Sequence, residues 1–452
     1  MNLTILLYIL FAFVIIIVVL YYLLYIKKND KKFREIPFDF ILTENITIID
    51  ILEYVSNKYG HYIALDDETQ KITYKKYYDN IIKFSNNLSN IISQQEKILI
   101  ITDENKPEIF YAFIGCMLSG CIPIICNSKN CHLIINKIKP KILILNNDNI
   151  DIIENYTQII IINKINILND KKILFDNFIN LPFNNITVKK PDINDIATII
   201  CDDNKEVIIT HKNIISQLKA CLSLIRKKSN VDIYTKEKII SYMPLKYITS
   251  QMIDIYISIS IVATVYFSTK NKLYKKIKNI EPTIFIGSSN IWQTIYNNLK
   301  NFVKPDKIIN KIFINKYIIK KTGLDNIKIA ITTTITSPTT ITPPTTITPI
   351  TSPTKKSILL NDETKQFYKD LGFPLFNSLI LNEATGLISL CLKNTEANNC
   401  MGYPLIDVKI NSKTNEIMIK GDTICNNYNN KKWFKTGYYG YIDRDGSLYL
   451  KE

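Results

Sequence analysis

The nine cysteines are the residues whose type and spacing most directly suggest chemistry, because thiolates bind soft metals and carry redox reactions. Four of them recur every five residues, at 116, 121, 126 and 131, and His132 follows the last. A five-residue period places consecutive thiols on different faces of a helix or strand, which does not suit a zinc site. With no C-x-x-C pair and an odd total, reduced cysteines packed in the core are favoured over zinc ligands or a disulfide framework.

Glycine, which phosphate-binding loops need, is scarce. The chain has 12 glycines in 452 residues, against a usual share of ~7%. None lies between positions 121 and 286, and neither G-x-x-x-x-G-K-[ST] nor G-x-G-x-x-G occurs. The two common glycine-rich nucleotide-binding motifs are therefore absent from the sequence.

Composition and charge describe a folded, basic chain. An apolar content of 46% with 21% charged residues is enough to bury a sizeable core, which excludes a wholly disordered polymer. The 56 Lys and Arg residues exceed the 41 Asp and Glu residues by 15, a balance that favours nucleic acid or anionic lipid. The lysines are scattered, without an arginine cluster or an aromatic-basic platform, so we expect a generally basic surface and no nucleic-acid partner.

The amino-terminal segment has the features of a membrane anchor. Residues 3–26 carry no charge, and as a helix they would extend roughly 36 Å, enough to span a bilayer. The flank from Lys27 to Arg34 is basic, so the positive-inside rule places the rest of the chain in the cytosol. A cleaved signal peptide is the alternative, but the segment lacks a basic start and ends in YYLLYIKK rather than in small residues.

Beyond the anchor, short apolar runs alternate with amphipathic segments. The runs 97–102, 141–145, 158–163 and 282–287 predict buried strands. The segments 75–92, 213–226 and 289–300 predict helices. This alternation is typical of an α/β protein with parallel sheet covered on both faces.

A Thr/Pro-rich stretch interrupts this pattern. Residues 332–355 repeat a unit of about seven residues with Pro in every unit and show no apolar periodicity. We predict an exposed, extended and disordered insert that divides a domain into parts 33–331 and 356–452.

Several stretches, in one order, resemble the AMP-forming adenylating enzymes, and most closely the long-chain and bubblegum-type acyl-CoA synthetases. The resemblance implies their α/β large domain, with ATP, magnesium and coenzyme A as cofactors and a fatty acid as substrate. The stretches are 72–92, 97–127, 195–200, 207–218, 239–267 (IISYMPLKYITSQMIDIYISISIVATVYF), 281–296, 323–332, 367–386 (FYKDLGFPLFNSLILNEATG), 401–405 and 416–450.

The resemblance also implies the site residues. The family's phosphate loop corresponds to IICDDNKEVIITH (199–211), which has no glycine but places Lys205 at the family's lysine. The Y-G-x-T-E element corresponds to residues 379–383, so Glu383 matches the magnesium ligand and Asn382 the preceding nucleotide contact. Lys205 and Glu383 are the expected catalytic residues of an active protein. The histidine of P-L-S-H is replaced by Tyr247.

The ribose-binding motif is altered. In the family, the aspartate of T-G-D accepts hydrogen bonds from both ribose hydroxyls, whereas here Thr436 and Gly437 are followed by Tyr438. Hydrogen bonds to a charged group contribute roughly 1.5 to 3 kcal/mol each, so we expect Thr436 and Tyr438 to bind the nucleotide weakly. The chain stops at LYLKE, before the family's small mobile domain, which we expect to be missing.

These observations predict a membrane-anchored acyl-CoA synthetase-like protein with impaired or absent ligase activity, which binds membrane lipid, an acyl chain or an active partner enzyme. The alternatives are an active ligase with unusual nucleotide contacts, or with its carboxy-terminal domain supplied by another chain, and a membrane interaction module.

Overall fold

The computed structural model describes residues 15–16, 20, 38–41, 43, 45–146, 159–162, 172–182, 190–201, 205–228, 235–300, 319–333, 359–392, 399–425, 427 and 432–451. The statements below refer to these residues.

The helices have local sequence signals at their starts. Thr47 accepts a hydrogen bond from the backbone N–H of Asp50, whose carboxylate accepts one in return from the N–H of Thr47, and this capping box starts α2. Thr73 caps α3 in a similar way. The helices are α1 (Phe38–Ile41), α2 (Ile48–Tyr59), α3 (Tyr74–Ser89), α4 (Pro107–Leu118), α5 (Cys131–Ile138), α6 (Phe175–Ile179), α7 (His211–Lys228), α8 (Ile248–Ser250, continued by the π-helical Gln251–Ile257 and by Ser258–Ser260), α9 (Leu273–Ile280), α10 (Ser289–Leu299) and α11 (Asp362–Asp370).

The strands are short and rich in isoleucine, as the apolar runs predict. They are β1 (Ile63–Asp66), β2 (Lys71–Thr73), β3 (Lys97–Ile101), β4 (Ile122–Cys126), β5 (Ile142–Leu145), β6 (Ile159–Ile161), β7 (Lys172–Leu174), β8 (Ile196–Cys201), β9 (Glu206–Thr210), β10 (Lys238–Ser241), β11 (Thr264–Phe267), β12 (Ile284–Ser288), β13 (Ile329–Thr333), β14 (Leu375–Leu381), β15 (Gly386–Leu390), β16 (Cys400–Pro404), β17 (Asp407–Ile410), β18 (Glu416–Lys420), β19 (Phe434–Ile442) and β20 (Leu448–Leu450).

These strands form three sheets. The largest has thirteen strands in the order β17-β18-β19-β20-β16-β15-β14-β13-β12-β10-β11-β1-β2. A second sheet, β4-β3-β5-β6-β7, is parallel throughout. The third is the antiparallel hairpin β8–β9, which is tied to β4 by a 2.8 Å hydrogen bond from the Thr198 hydroxyl to the carbonyl of Pro123.

The main core lies between the helices α2 to α4 and the parallel strands. Ile81, Phe84 and Phe110 are among its fully buried side chains. Helix α4 approaches α3 closely at Gly115, where a Cβ would lie 2.5 Å from the Phe84 ring. The large domain is thus built around one extended apolar cluster shared by the two larger sheets.

The α/β prediction is confirmed, and each predicted strand and helix is present with ends shifted by a few residues. The expectation of parallel sheet is right for the second sheet and for the series β14-β13-β12-β10-β11-β1. It is wrong for the neighbouring strands β14-β15-β16-β20-β19-β18-β17, in which each strand is antiparallel to the next. The reason is the short connections in this region, such as the turn in which the Asp443 N–H donates to the Ser447 carbonyl at 3.0 Å.

Two predicted segments, the membrane anchor and the Thr/Pro insert, lie mostly outside the described residues. Of the expected anchor 3–26, only residues 15, 16 and 20 are described. Within the described part of the chain, no helix combines the length and apolar character needed to cross a bilayer. The Thr/Pro insert also lies outside the described residues, except that Thr332 and Thr333 are buried strand residues of β13, so the insert begins after them.

Candidate functional site

Lys205 and Glu383, the two residues expected to be catalytic, form an ion pair. Lys205 precedes β9, and Glu383 lies in the 3-10 turn Asn382–Ala384 that follows β14. The Glu383 side chain is 5% exposed and that of Lys205 is 40% exposed. A carboxylate buried to this degree needs a cationic or hydrogen-bonding partner, and Lys205 supplies one. The structure therefore brings together two residues that are 178 positions apart in the chain.

The turn that carries Glu383 is held by the loop after β18. The backbone N–H of Cys425 donates to the Glu383 carbonyl at 2.9 Å. The Thr385 hydroxyl donates to the Thr423 carbonyl at 2.6 Å, with Thr385 in the left-handed region at φ 55°. The Cys425 thiol lies 3.3 Å from the Asn382 carbonyl. Asn382, expected to contact nucleotide, thus contributes to the turn through its backbone.

The same loop is tied to β9 and α7 by asparagine side chains that sequence reasoning did not identify. Asn427 accepts a hydrogen bond from the Ile208 N–H at 3.2 Å and donates to the Glu206 carbonyl at 2.6 Å. Asn213 donates to the carbonyls of Asp422 at 2.7 Å and Ile424 at 3.0 Å. Both asparagines lie in stretches that carry the family resemblance, 207–218 and 416–450, but neither stretch marks them as contacts of this loop.

Thr436 and Tyr438 lie on β19 and are both buried, at 2% and 3% exposure. The Thr436 hydroxyl donates to the Ile417 carbonyl at 2.8 Å and accepts a bond from the Tyr438 N–H at 3.1 Å. The Tyr438 side chain belongs to an apolar cluster with Ile419 and Ile424. Both residues therefore serve the fold, and neither offers a carboxylate to ribose hydroxyls.

These observations test whether the site fits a magnesium nucleotide. Magnesium sites in nucleotide enzymes use one or two carboxylates together with substrate phosphates, and Glu383 could supply one of them while Lys205 pairs with its Oε1. Among the described residues, no group of three or more His, Cys, Asp or Glu side chains is placed to hold a metal. Tyr438, the residue expected at the ribose, is buried and offers no carboxylate. Asp202 and Asp203 of the phosphate loop lie outside the described residues.

The Pro244–Tyr247 segment, where the family histidine is replaced, lies at the surface end of β10. Tyr247 is 39% exposed, and the Lys246 ammonium lies 5.1 Å from the centre of its ring. Its carbonyl accepts hydrogen bonds from the N–H groups of Ser250 and Gln251 at the start of α8. Tyr247 thus keeps an aromatic surface at this position without the proton-transfer capacity of an imidazole.

An apolar cavity of about 60 Å³ lies beside the Glu383 turn. Its walls come from β12, β13, α7 and α8, and it extends to Gly386 and Leu387, which directly follow the turn. None of the described lining residues is charged. Ile284 and Ile286, like Ile329 and Ile331, point into it with the two-residue period of a strand. Sequence reasoning placed Ile284 and Ile286 in a strand, but it did not identify the cavity.

The comparisons with known proteins agree with this architecture. Residues 52–416 match the family described as "AMP-binding enzyme". The long-chain-fatty-acid–CoA ligase ACSBG2 of Homo sapiens is 24% identical over 471 residues, covering 90% of this chain and 69% of the human protein. The Gallus gallus protein of the same name is 24% identical over 297 residues, covering 56% of this chain and 38% of its own.

A solved structure shares the fold. The o-succinylbenzoate CoA synthetase (MenE) of Bacillus subtilis, in complex with the acyl-adenylate intermediate OSB-AMP, aligns over 90% of this chain and 78% of its own, with 16% identity and a TM-score of 0.66. The match to the family covers well over half of the chain. This chain belongs to the AMP-binding enzyme family.

Proposed function

We propose that this protein binds a long-chain fatty acid in the apolar cavity beside Glu383 and has little or no ordinary acyl-CoA ligase activity. The observation that carries the proposal is the uncharged cavity, which ends three residues from Glu383 at Gly386. An apolar, uncharged pocket suits the tail of a fatty acid. The names of the curated relatives support this substrate class.

The cavity suits the carboxyl-proximal part of such a chain. At about 10–15 Å³ for each water-sized sphere, a cavity of 60 Å³ holds roughly five waters, which is less than a long acyl tail needs. Met252 lies in its wall against Gly386. Methionine is flexible enough to be displaced by a ligand, so a long tail would enter by moving this side chain.

We propose weak ligase activity because of the residues that are expected to bind the nucleotide. ATP, magnesium and coenzyme A are the cofactors that the family implies, but Tyr438 offers no carboxylate and packs in an apolar cluster, and the hydroxyl of Thr436 is engaged within the fold. The absence of glycine from residues 199–211, which resemble the phosphate loop, also supports weak nucleotide binding. We therefore propose that nucleotide binds weakly while the acyl site is kept.

A membrane location completes the proposal. Residues 3–26 would anchor the chain in lipid, with the larger part in the cytosol. In that position the cavity would receive fatty acid from the bilayer, and the protein could pass it to an active partner enzyme.

A matched pair of substitutions on α7 tests the acyl site. Ile225 lines the cavity, and its neighbour Leu224 is equally part-buried but does not line it. A tryptophan that overfills a packed site costs about 1–3 kcal/mol, so Ile225→Trp should weaken palmitate binding by about tenfold. Leu224→Trp should leave it nearly unchanged. Binding of radiolabelled palmitate to the purified chain measures both, and equal losses in the two variants would contradict the proposed site.

An active ligase is the second candidate, and the Lys205–Glu383 pair favours it because two family motifs meet there. In that case both residues would contact the nucleotide. The two candidates differ in the rate of fatty-acid-dependent pyrophosphate release.

A further inference from the structure

Cys391 and Cys400 bring two thiols into contact away from the candidate site. Cys391 directly follows β15, and Cys400 begins β16. Their Sγ atoms are 3.7 Å apart, and the residues are 4% and 0% exposed. A disulfide has an S–S distance of about 2.05 Å, so closing this pair requires an approach of roughly 1.7 Å.

The two backbones are held in place by Asn377 of β14. Its carbonyl accepts the Cys391 N–H at 2.9 Å, and its side-chain amide donates to the Cys400 carbonyl at 3.1 Å. The strands also approach closely, because a Cβ on Gly402 would lie 2.2 Å from the Cys391 Cα. The remaining approach can therefore come from rotation of the side chains while the strands stay in register.

A cation lies near both sulfurs. Lys365 of α11 interacts electrostatically with Cys391 and with Cys400, while its own burial lowers its pKa. A neighbouring ammonium favours the thiolate, which is the reactive form of cysteine. With the two sulfurs in contact, a sulfenic acid formed on one cysteine has a resolving thiol beside it.

We propose that Cys391 and Cys400 are a redox-sensitive dithiol that a peroxide converts to a disulfide. The thiolate of Cys391, the more exposed of the two, attacks one oxygen of hydrogen peroxide and breaks the O–O bond, giving a sulfenic acid and, after protonation, water. The Cys400 sulfur then attacks the sulfenic sulfur, forming the S–S bond and releasing a second water. The two thiols lose two electrons, and the peroxide gains them.

The disulfide would act on the neighbouring cavity. Leu390, the residue before Cys391, lines the cavity wall. Rotation of the Cys391 side chain toward Cys400 would disturb the packing of the adjoining Leu390, so oxidation should change the affinity for an acyl chain. This effect rests on the proposed function, whereas formation of the disulfide does not.

Peptide mapping tests the dithiol directly. Trypsin cleavage after Lys393 separates the two cysteines, so only a disulfide can hold the peptides 370–393 and 394–409 together. The purified full chain is treated with hydrogen peroxide, alkylated after denaturation and digested. We expect the linked peptides at the summed mass less two hydrogens, released by dithiothreitol. Cys400→Ser should abolish the link and Cys116→Ser, at a buried thiol elsewhere, should keep it.

A substitution of Lys365 tests the proposed chemistry through a pH dependence that a purely structural role would not change. Lys365→Met should move the pH dependence of cross-linking to higher pH, because the thiolate loses its neighbouring cation. Separate peptides 370–393 and 394–409 after peroxide treatment of the unsubstituted chain would overturn the proposal. A linked pair with unchanged palmitate affinity would keep the dithiol and contradict only its effect on the cavity.

Discussion

The ring of Tyr438, where the family resemblance predicts a ribose-binding residue, is part of the apolar core. The cluster around it includes Ile417, Ile419 and Leu448, all fully buried. A carboxylate at this position would have to be solvated or paired, because an unpaired charge in an apolar cluster is costly. The apolar packing around Tyr438 therefore suits an aromatic ring and does not suit an unpaired carboxylate.

The packing of Tyr438 predicts a large effect on stability. Truncating a buried aromatic residue costs about 3–5 kcal/mol, so Tyr438→Ala should lower the free energy of unfolding by that amount in urea titrations. Tyr441→Ala on the same strand is the control, since Tyr441 is 41% exposed and only stacks on Tyr449. We expect it to cost about 1 kcal/mol. Equal costs for the two variants would show that Tyr438 is not a core residue.

At the scale of single residues, the sequence predicted part of the site. Lys205 and Glu383 were identified through family motifs, and the structure pairs them. The hydrogen bonds of Asn427 to β9 could not be predicted, because they depend on how a distant loop crosses that strand. The sequence did not predict the cavity, because its lining comes from strands and helices that are far apart in the chain.

At the scale of elements, the π-helical part of α8 contains a buried carboxyl group. Asp254 accepts a hydrogen bond from the Ser241 hydroxyl at 2.6 Å, and Asn105 donates to the same hydroxyl at 2.8 Å. Burial raises the pKa of Asp254 to about 8. π-Helical turns often occur at functional sites, and Met252 and Ile253 of this turn line the cavity.

This group predicts a pH dependence of stability. An aspartate in an unfolded chain has a pKa of about 3.9, so between about pH 4 and pH 8 the folded state binds more protons. The free energy of unfolding should therefore fall as the pH rises through this window, by at most about 1.4 kcal/mol per pH unit. Asp254→Asn can still accept the Ser241 hydrogen bond but does not ionise, so this fall should be absent from it.

Urea titrations of both proteins from pH 5 to pH 8 measure the difference. Burial lowers the pKa of His211 to about 4, so protonation of His211 lowers the free energy of unfolding as the pH falls below about 6.5. This effect is the same in both proteins and cancels from their difference. Parallel stability curves for the variant and the unsubstituted protein would contradict the assignment to Asp254.

Element type was more predictable than element direction. Runs of isoleucine predicted the strands well, because a buried strand is marked by its own residues. The antiparallel half of the large sheet was not predicted, because pairing direction depends on connections. The scarcity of glycine also has a structural counterpart, since residues such as Lys139 and Glu281 end helices in the left-handed conformation that glycine usually adopts.

At the scale of the whole molecule, an AMP-binding enzyme fold contains an uncharged apolar cavity and a separate apolar cluster around Tyr438. The strands that line the cavity all belong to the thirteen-stranded sheet. The uncharged segment 3–26 precedes this body in the sequence, and we propose that it anchors the protein in a membrane.

The central claim is that fatty acid binds without ordinary turnover, and fatty-acid-dependent pyrophosphate release by the purified full chain tests it most directly. A typical enzyme turns over at about 10 s⁻¹, and losing one well-placed polar contact costs about 10² to 10³ in rate. With both the ribose acceptor and the phosphate-loop glycines absent, we predict a rate of about 10⁻³ s⁻¹ or below with ATP, magnesium and palmitate. A rate near 10 s⁻¹ that Glu383→Ala abolishes would contradict the account and identify an active ligase.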